Sequence, residues 1–192
     1  MGTIFVDKLD PQSGTTLTLG SSGDTVSLTS GAKTSGFGKV GQVVQTVKTD
    51  TASFTSQTFT DVSGMSVNIT PTLSSSKILI MVDYQMGYNA DSGHSIRLVR
   101  DSTAIYIADA ASNRIRASSI NTSVSTNGIY GMSNLHKTFL DSPSSTSQIT
   151  YKVQTRIGNS GTIYINRTSA DRDTANYDAR AASSITVMEI LD

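Results

Sequence analysis

The chain has 192 residues, with 15 Lys and Arg against 15 Asp and Glu and a formal net charge of +0. That balance provides no field to gather nucleic acid or an anionic membrane surface. The absence of Cys excludes disulfides and thiolate metal sites, and no run approaches the ~20 apolar residues of a membrane span.

Hydrophobic residues make up 36% and Trp is missing, so the core is expected to be modest, with part of the buried surface coming from partner chains. The acids are almost all Asp; the one Glu, Glu189, stands three residues from the C-terminus. Asp, Ser, Thr and Gly favour turns and caps, whereas helices favour Glu, Lys, Ala and Leu. Short runs of Val, Ile, Leu and Tyr between these turn-formers predict an all-β chain.

Residues 1 to 40 read as a unit of their own. Met1 to Asp10 lacks a basic stretch followed by an apolar core, so no secretory signal is expected and synthesis in a cytoplasm is. Two phrases, Thr16–Gly20 and Thr25–Thr29, alternate polar with apolar residues, the pattern of a strand with one apolar face. With only Leu17, Leu19, Val26 and Leu28 to bury, they cannot offset the entropy of ordering about 40 residues. The segment is therefore expected to anchor on a partner or to intertwine with its own copies as a short stalk. Thr34 to Lys39 reads as a joint with Phe37 as its one aromatic.

Residues 41 to 192 carry regularly spaced strands, predicted over Gln42–Thr49, Met65–Thr70 and Lys77–Tyr88. In the last of these, Ile78, Ile80, Val82, Tyr84, Met86 and Tyr88 share one face, while Leu79 and Met81 make the other apolar too. Such a strand is either central or meets a neighbouring chain. His94–Arg100 and Ala104–Ala108 form a hairpin about Asp101-Ser102. Gly128–Leu140, Gln148–Ile157, Thr162–Asn166 and Ser184–Leu191 complete the set. About ten short strands in this space predict an antiparallel sandwich or jelly roll.

Several segments together resemble small fibre and appendage proteins of tailed bacteriophages. They are Val6–Leu9 and Thr16–Leu28 in the first unit, then Ile69–Ile80, Ile96–Thr103 and Ser184–Ile190 in the second. The latter three are similar to a head with the jelly roll of the tumour-necrosis-factor/C1q type. The resemblance implies a homotrimer on the virion, joined to other virion proteins through residues 1 to 40 and displaying a binding head. It supplies no catalytic residue, and no cofactor is expected; the balanced charge and the short apolar runs are the grounds for expecting no nucleic acid and no membrane insertion. A host surface glycan or outer-membrane protein is the expected ligand of a tail-fibre head; a capsid decoration or cement role is the alternative. A depolymerase acting on surface polysaccharide is the remaining enzymatic reading.

The chemistry-bearing residues are sparse. His94 and His136 belong to no metal-binding spacing and read as partly exposed strand residues. Asp171, Asp173 and Asp178 lie in a polar run, Thr168 to Arg180, beside Arg167, Arg172 and Arg180. It reads as a solvated loop laced with ion pairs, with a calcium loop as the lesser alternative, since the spacing is not that of an EF-hand. Asn68, Asn121 and Asn166 head glycosylation-type triplets, expected by chance in a chain so rich in Ser and Thr. The candidate surface contacts are Arg114, Arg116, Arg172 and Tyr177; among seven tyrosines, Tyr177 is the one set in a wholly polar stretch. Tyr suits binding surfaces because it offers a large apolar body with a polar tip at low entropic cost.

Overall fold

The computed structural model describes residues 40–89, 93–121 and 130–191, together with Pro11 and Gly14. The chain divides into Met1–Phe37 and Gly38–Asp192, and the strands among the described residues belong to the second unit. The candidate anchor residues Leu17, Leu19, Val26 and Leu28 lie outside the described residues.

Eleven strands stand among the described residues: β1 (Val40–Lys48), β2 (Ala52–Phe54), β3 (Thr60–Ile69), β4 (Lys77–Tyr88), β5 (His94–Arg100), β6 (Thr103–Ile105), β7 (Ser119–Asn121), β8 (Met132–Asp141), β9 (Ile149–Ile157), β10 (Ile163–Ile165) and β11 (Ser183–Ile190). If the short β2, β7 and β10 are set aside, the remaining strands pair first with last and so on inward: β1 with β11, β3 with β9, β4 with β8 and β5 with β6, all antiparallel. Cross-pairs β11–β4 and β9–β5 join these into two sheets. That is a long hairpin wrapped on itself, the jelly roll, and it agrees with the all-β sandwich expected from the sequence. Sheet one runs β1-β11-β4-β8, with β10 and β2 continuing beside the far half of β4; sheet two runs β3-β9-β5-β6, with β7 collinear with β6 on β5.

The period-two pattern decides which side of each strand is core. In β4 the even-numbered residues from Ile78 to Tyr88 are buried, as the alternation predicts, and the strand is central, flanked by β8 on one edge and by β11 and β10 on the other. One inward row crosses sheet one as Val44, Val187, Ile80 and Phe139. Opposite it, sheet two contributes Met65, Ile96, Leu98, Tyr151 and Val153 to the same core. β3 begins five residues earlier than the predicted Met65, because Thr60 and Asp61 pair with β9 before a register shift between Asp61 and Ser66. Gly64 is left-handed (φ 80°), the backbone state a bulge requires and Gly supplies without strain.

The outer faces differ. On sheet two the outward residues of β3 and β9, with Arg97 of β5, are polar and bonded to one another, whereas the β5–β7 end of that face carries Val99 and the exposed Ile120. Asp61 accepts from Lys152 Nζ at 2.7 Å and from Gln154 Nε2 at 2.5 Å, and Gln154 Oε1 accepts from Arg97 Nε at 2.7 Å. The Arg97 guanidinium also covers the Phe59 ring at 4.2 Å. On sheet one the register aligns Val43, Met188, Leu79 and Leu140 into an apolar row across all four strands. Val43 is 54% and Leu140 46% exposed. The next outward rows turn polar, through Gln45, Thr186, Met81 and Thr138 and then Val47, Ser184, Asp83 and His136. A second apolar area lies along the sandwich edge where sheet two ends in β6 and β7 and sheet one in β8. There Ile115 and Ile120 are exposed, and Tyr106 stacks on Phe139 with centroids 4.8 Å apart.

The lone Glu is a structural residue. Glu189 is 0% exposed, facing inward at the end of β11. Its Oε1 accepts from the Thr72 backbone N–H at 2.6 Å and the Thr72 hydroxyl at 2.8 Å, and its Oε2 accepts from Gln42 Nε2 at 2.8 Å. Burial would raise its carboxyl, but the hydrogen bonds from Gln42 and Thr72 outweigh that and hold it below the ordinary value. One carboxylate thus ties β1, β11 and the β3–β4 loop together. Asp141 does the same at the other edge of β4, taking both nitrogen–oxygen contacts from Arg100 Nη1 (3.0 and 2.9 Å) and the buried Tyr151 hydroxyl at 2.6 Å.

Candidate binding site

The polar run Thr168–Arg180 forms the connection from β10 to β11, and it rises from a narrow neck. Asn166 takes a left-handed conformation (φ 61°), which Asn tolerates better than most residues. Its buried side chain donates to the carbonyls of Lys48 (2.8 Å) and Asp50 (2.9 Å) and accepts from the Ser183 hydroxyl at 2.6 Å. Asn166 O accepts from Ala181 N at 3.0 Å, and Arg167 bridges Arg180 across the neck. With Asn166 0% exposed, its glycosylation triplet is structural.

The neck rests directly on β4. A Cβ at Gly87 would lie 2.5 Å from the Arg167 carbonyl, so only Gly allows this approach. Arg167 lays its guanidinium 4.0 Å over the Tyr164 ring and shares Asp171 with Arg180, at 3.5 and 2.7 Å.

Beyond the neck the loop turns around Thr168 and Asp178. The buried Thr168 hydroxyl donates to Asp178 Oδ1 at 2.6 Å and accepts from Asp171 N at 3.2 Å. Asp178 Oδ2 accepts from Arg172 Nε at 2.8 Å. The Thr168 and Arg172 bonds hold the Asp178 carboxyl below the usual range, and Asp178 in turn raises Arg172. Asp178 is therefore an ionised acceptor at neutral pH, the opposite of what a general acid needs.

Arg172, oriented in this way, sits between two tyrosines. Its guanidinium is 4.4 Å from the Tyr130 ring centroid and 6.0 Å from that of Tyr177, with Nη1 at 3.4 Å from the Tyr130 hydroxyl. The two rings are 6.0 Å apart and tilted by 41°. Tyr177 is 66% exposed and Tyr130 43%. The result is a surface platform of two aromatic rings around a charge-balanced cation.

Two of the four sequence-derived contacts, Arg172 and Tyr177, thus come together in one place. The other two, Arg114 and Arg116, lie exposed in the β6–β7 connection, where Arg116 Nε donates to the Ala108 carbonyl at 2.6 Å and so serves its own loop. Tyr130 joins the platform from the chain just before β8. Nothing local in the sequence marks it, since it meets Arg172 from 42 positions away.

Other expectations need adjusting. His136 is exposed beside Asp83 (3.6 Å), but His94 is 1% exposed, packed against the Tyr88 ring at 5.0 Å, and so is not the partly exposed strand residue expected. It faces inward because the period of β5 continues through Ile96 and Leu98. Of Asp171, Asp173 and Asp178, the acids of the calcium alternative, Asp171 and Asp178 spend their oxygens on Arg167, Arg180, Thr168 and Arg172. Among the described residues no group of three or more His, Asp or Glu is placed to hold a metal ion. Compared with known family models and with curated proteins, the chain matches none.

Proposed function

We propose that the chain is the head of a homotrimeric bacteriophage appendage that attaches the particle to a host surface, with residues 1 to 40 as its link to other virion proteins. The observation that carries this reading is the unequal treatment of the two outer faces. The polar, mutually bonded groups of β3, β9 and Arg97 are what water requires; an apolar row across four strands of sheet one is what a neighbouring chain requires. The second apolar area, at the β6/β7–β8 edge, is a different surface from the first. Two unlike surfaces on one chain favour face-to-edge contacts, which build a ring where the rotation closes, rather than a two-fold dimer. Three is the ring size implied by the likeness to tumour-necrosis-factor/C1q heads.

Attachment would be by adsorption, with no bond made or broken. Loops held on a rigid scaffold are where such heads carry their contacts, and three weak sites per head multiply in avidity. Sedimentation of the purified chain tests the assembly: a trimer is expected, and a stable monomer at micromolar concentration overturns it. Immunogold labelling of particles from the encoding phage, with antibody to residues 41 to 192, tests the role. Gold on the tail or its fibres supports attachment; gold spread over the capsid replaces it with decoration of the shell.

A further inference from the structure

We infer that Tyr130, Arg172 and Tyr177 form a subsite for an uncharged pyranose of a surface polysaccharide. This inference rests on the attachment reading and names its ligand. Three features of the platform select that chemistry. First, Tyr177 is 66% exposed in a loop whose neck is pinned by Asn166 and by the Arg167–Arg180 bridge, so an open aromatic surface is held on a fixed mount. Sugar rings have one face of C–H groups that packs on such a surface, and Tyr keeps a hydroxyl at the rim for their polar edge.

Second, the guanidinium is oriented before any ligand arrives. Asp178 holds its Nε at 2.8 Å and the Tyr130 ring lies 4.4 Å beneath it. Donors already locked in position lose little entropy on binding, as weak recognition of hydroxyls demands. Its remaining N–H groups, with the Tyr130 hydroxyl, present donors and an acceptor for a hydroxyl pair.

Third, the charge of Arg172 is cancelled by Asp178, and the neighbouring Arg167 and Arg180 share Asp171. With Asp173 counted, the segment from Arg167 to Arg180 carries three Arg against three Asp, so a carboxylated or sulfated sugar would find no net positive charge and would have to compete with Asp178 for the guanidinium. A neutral sugar meets neither obstacle. The platform would occur once per chain, so a single site of roughly millimolar affinity suffices once three heads act together.

The test uses the full-length chain and saturation-transfer NMR with neutral hexasaccharides of glucose, galactose and mannose, and with oligogalacturonate as the anionic probe. Transfer to at least one neutral probe is expected. It should fall at least about tenfold in affinity in Tyr177→Ala, whose exposed side chain leaves the fold intact, and fall also in Arg172→Met. No transfer to any neutral probe, transfer to oligogalacturonate alone, or transfer unchanged in Tyr177→Ala would each overturn the proposal. Adsorption to host cells separates this inference from the reading beneath it. Cell binding by wild type and Tyr177→Ala alike keeps attachment and removes the sugar site. Sugar binding without cell binding removes attachment and keeps the site.

Discussion

Replacing Glu189 by Gln tests whether the only Glu of the chain is a clasp between β1, β11 and the β3–β4 loop. The substitution preserves shape and removes charge, so the cost follows from hydrogen-bond roles. Thr72 donates twice to Oε1 (2.6 and 2.8 Å) and Gln42 once to Oε2 (2.8 Å). In the Gln variant the carbonyl can keep Thr72, but its NH₂ then faces the NH₂ of Gln42. Turning Gln42 over would sacrifice its 2.8 Å bond to the Thr70 carbonyl. There is little space to swing away, because a Cβ at Gly41 would already be 3.0 Å from Glu189 Oε2. Losing the charge assistance of two bonds costs about 1 kcal/mol each, and losing one bond outright about another, for a total of about 3 kcal/mol. For a chain of this size that is a fall in Tm of roughly 6–12 °C.

The same clasp carries a pH signature. Glu189 is held below its ordinary value of 4.5, so it stabilises the fold above that pH and loses its contribution as pH falls through its lowered value. The Gln variant has no such contribution to lose. Thermal unfolding of both proteins at pH 7 and pH 3 should therefore show a wide gap in Tm at pH 7 and a narrower one at pH 3. A gap under about 2 °C at pH 7, or one that does not narrow on acidification, would refute the assignment.

Three further outcomes are expected. Tyr151→Phe removes the buried 2.6 Å bond to Asp141 while leaving the Arg100 contacts, so denaturant unfolding should register a loss of about 2 kcal/mol. Gly87→Ala drives a methyl group into the Arg167 carbonyl; a loss of about 1–3 kcal/mol is expected, with faster tryptic cleavage after Arg172 as the loop lifts, and an unchanged cleavage rate would contradict the close approach. Val43→Lys combined with Leu140→Lys places charges in the apolar row at positions already half exposed. For the trimer proposed above, the circular dichroism should be unchanged while the sedimenting mass falls to that of one chain, and a variant that still sediments as a trimer would remove this face from the proposed interface.

Alternation makes the interior of this fold legible in advance. The expected bounds of Lys77–Tyr88 and His94–Arg100 match the observed strands, and in the first the burial of every even-numbered residue writes a period of two into the chain. Where that signal is short or diluted, it fails. Ala52–Phe54 and Ser119–Asn121 are three-residue strands made by pairing with β10 and β5, and the leading part of β3 is a polar edge with a bulge. His94 departs from expectation because its residue type suggests exposure while its place in the alternation requires burial.

The tyrosine–arginine platform divides in the same way. Arg172 and Tyr177 stand out in the sequence because a large aromatic and a cation in a run of Asp, Asn and Ser have no core to enter. Their meeting with Tyr130, the pinning of the neck by Asn166 and the role of Glu189 depend on contacts between residues far apart in the chain. Periodicity is a local property, and a hydrogen bond across 117 positions leaves no local trace. Local pattern therefore suffices for an all-β chain and for the buried side of each long strand. Which polar groups meet follows from the wrapping of the hairpin into two sheets, because that wrapping sets which distant strands become neighbours.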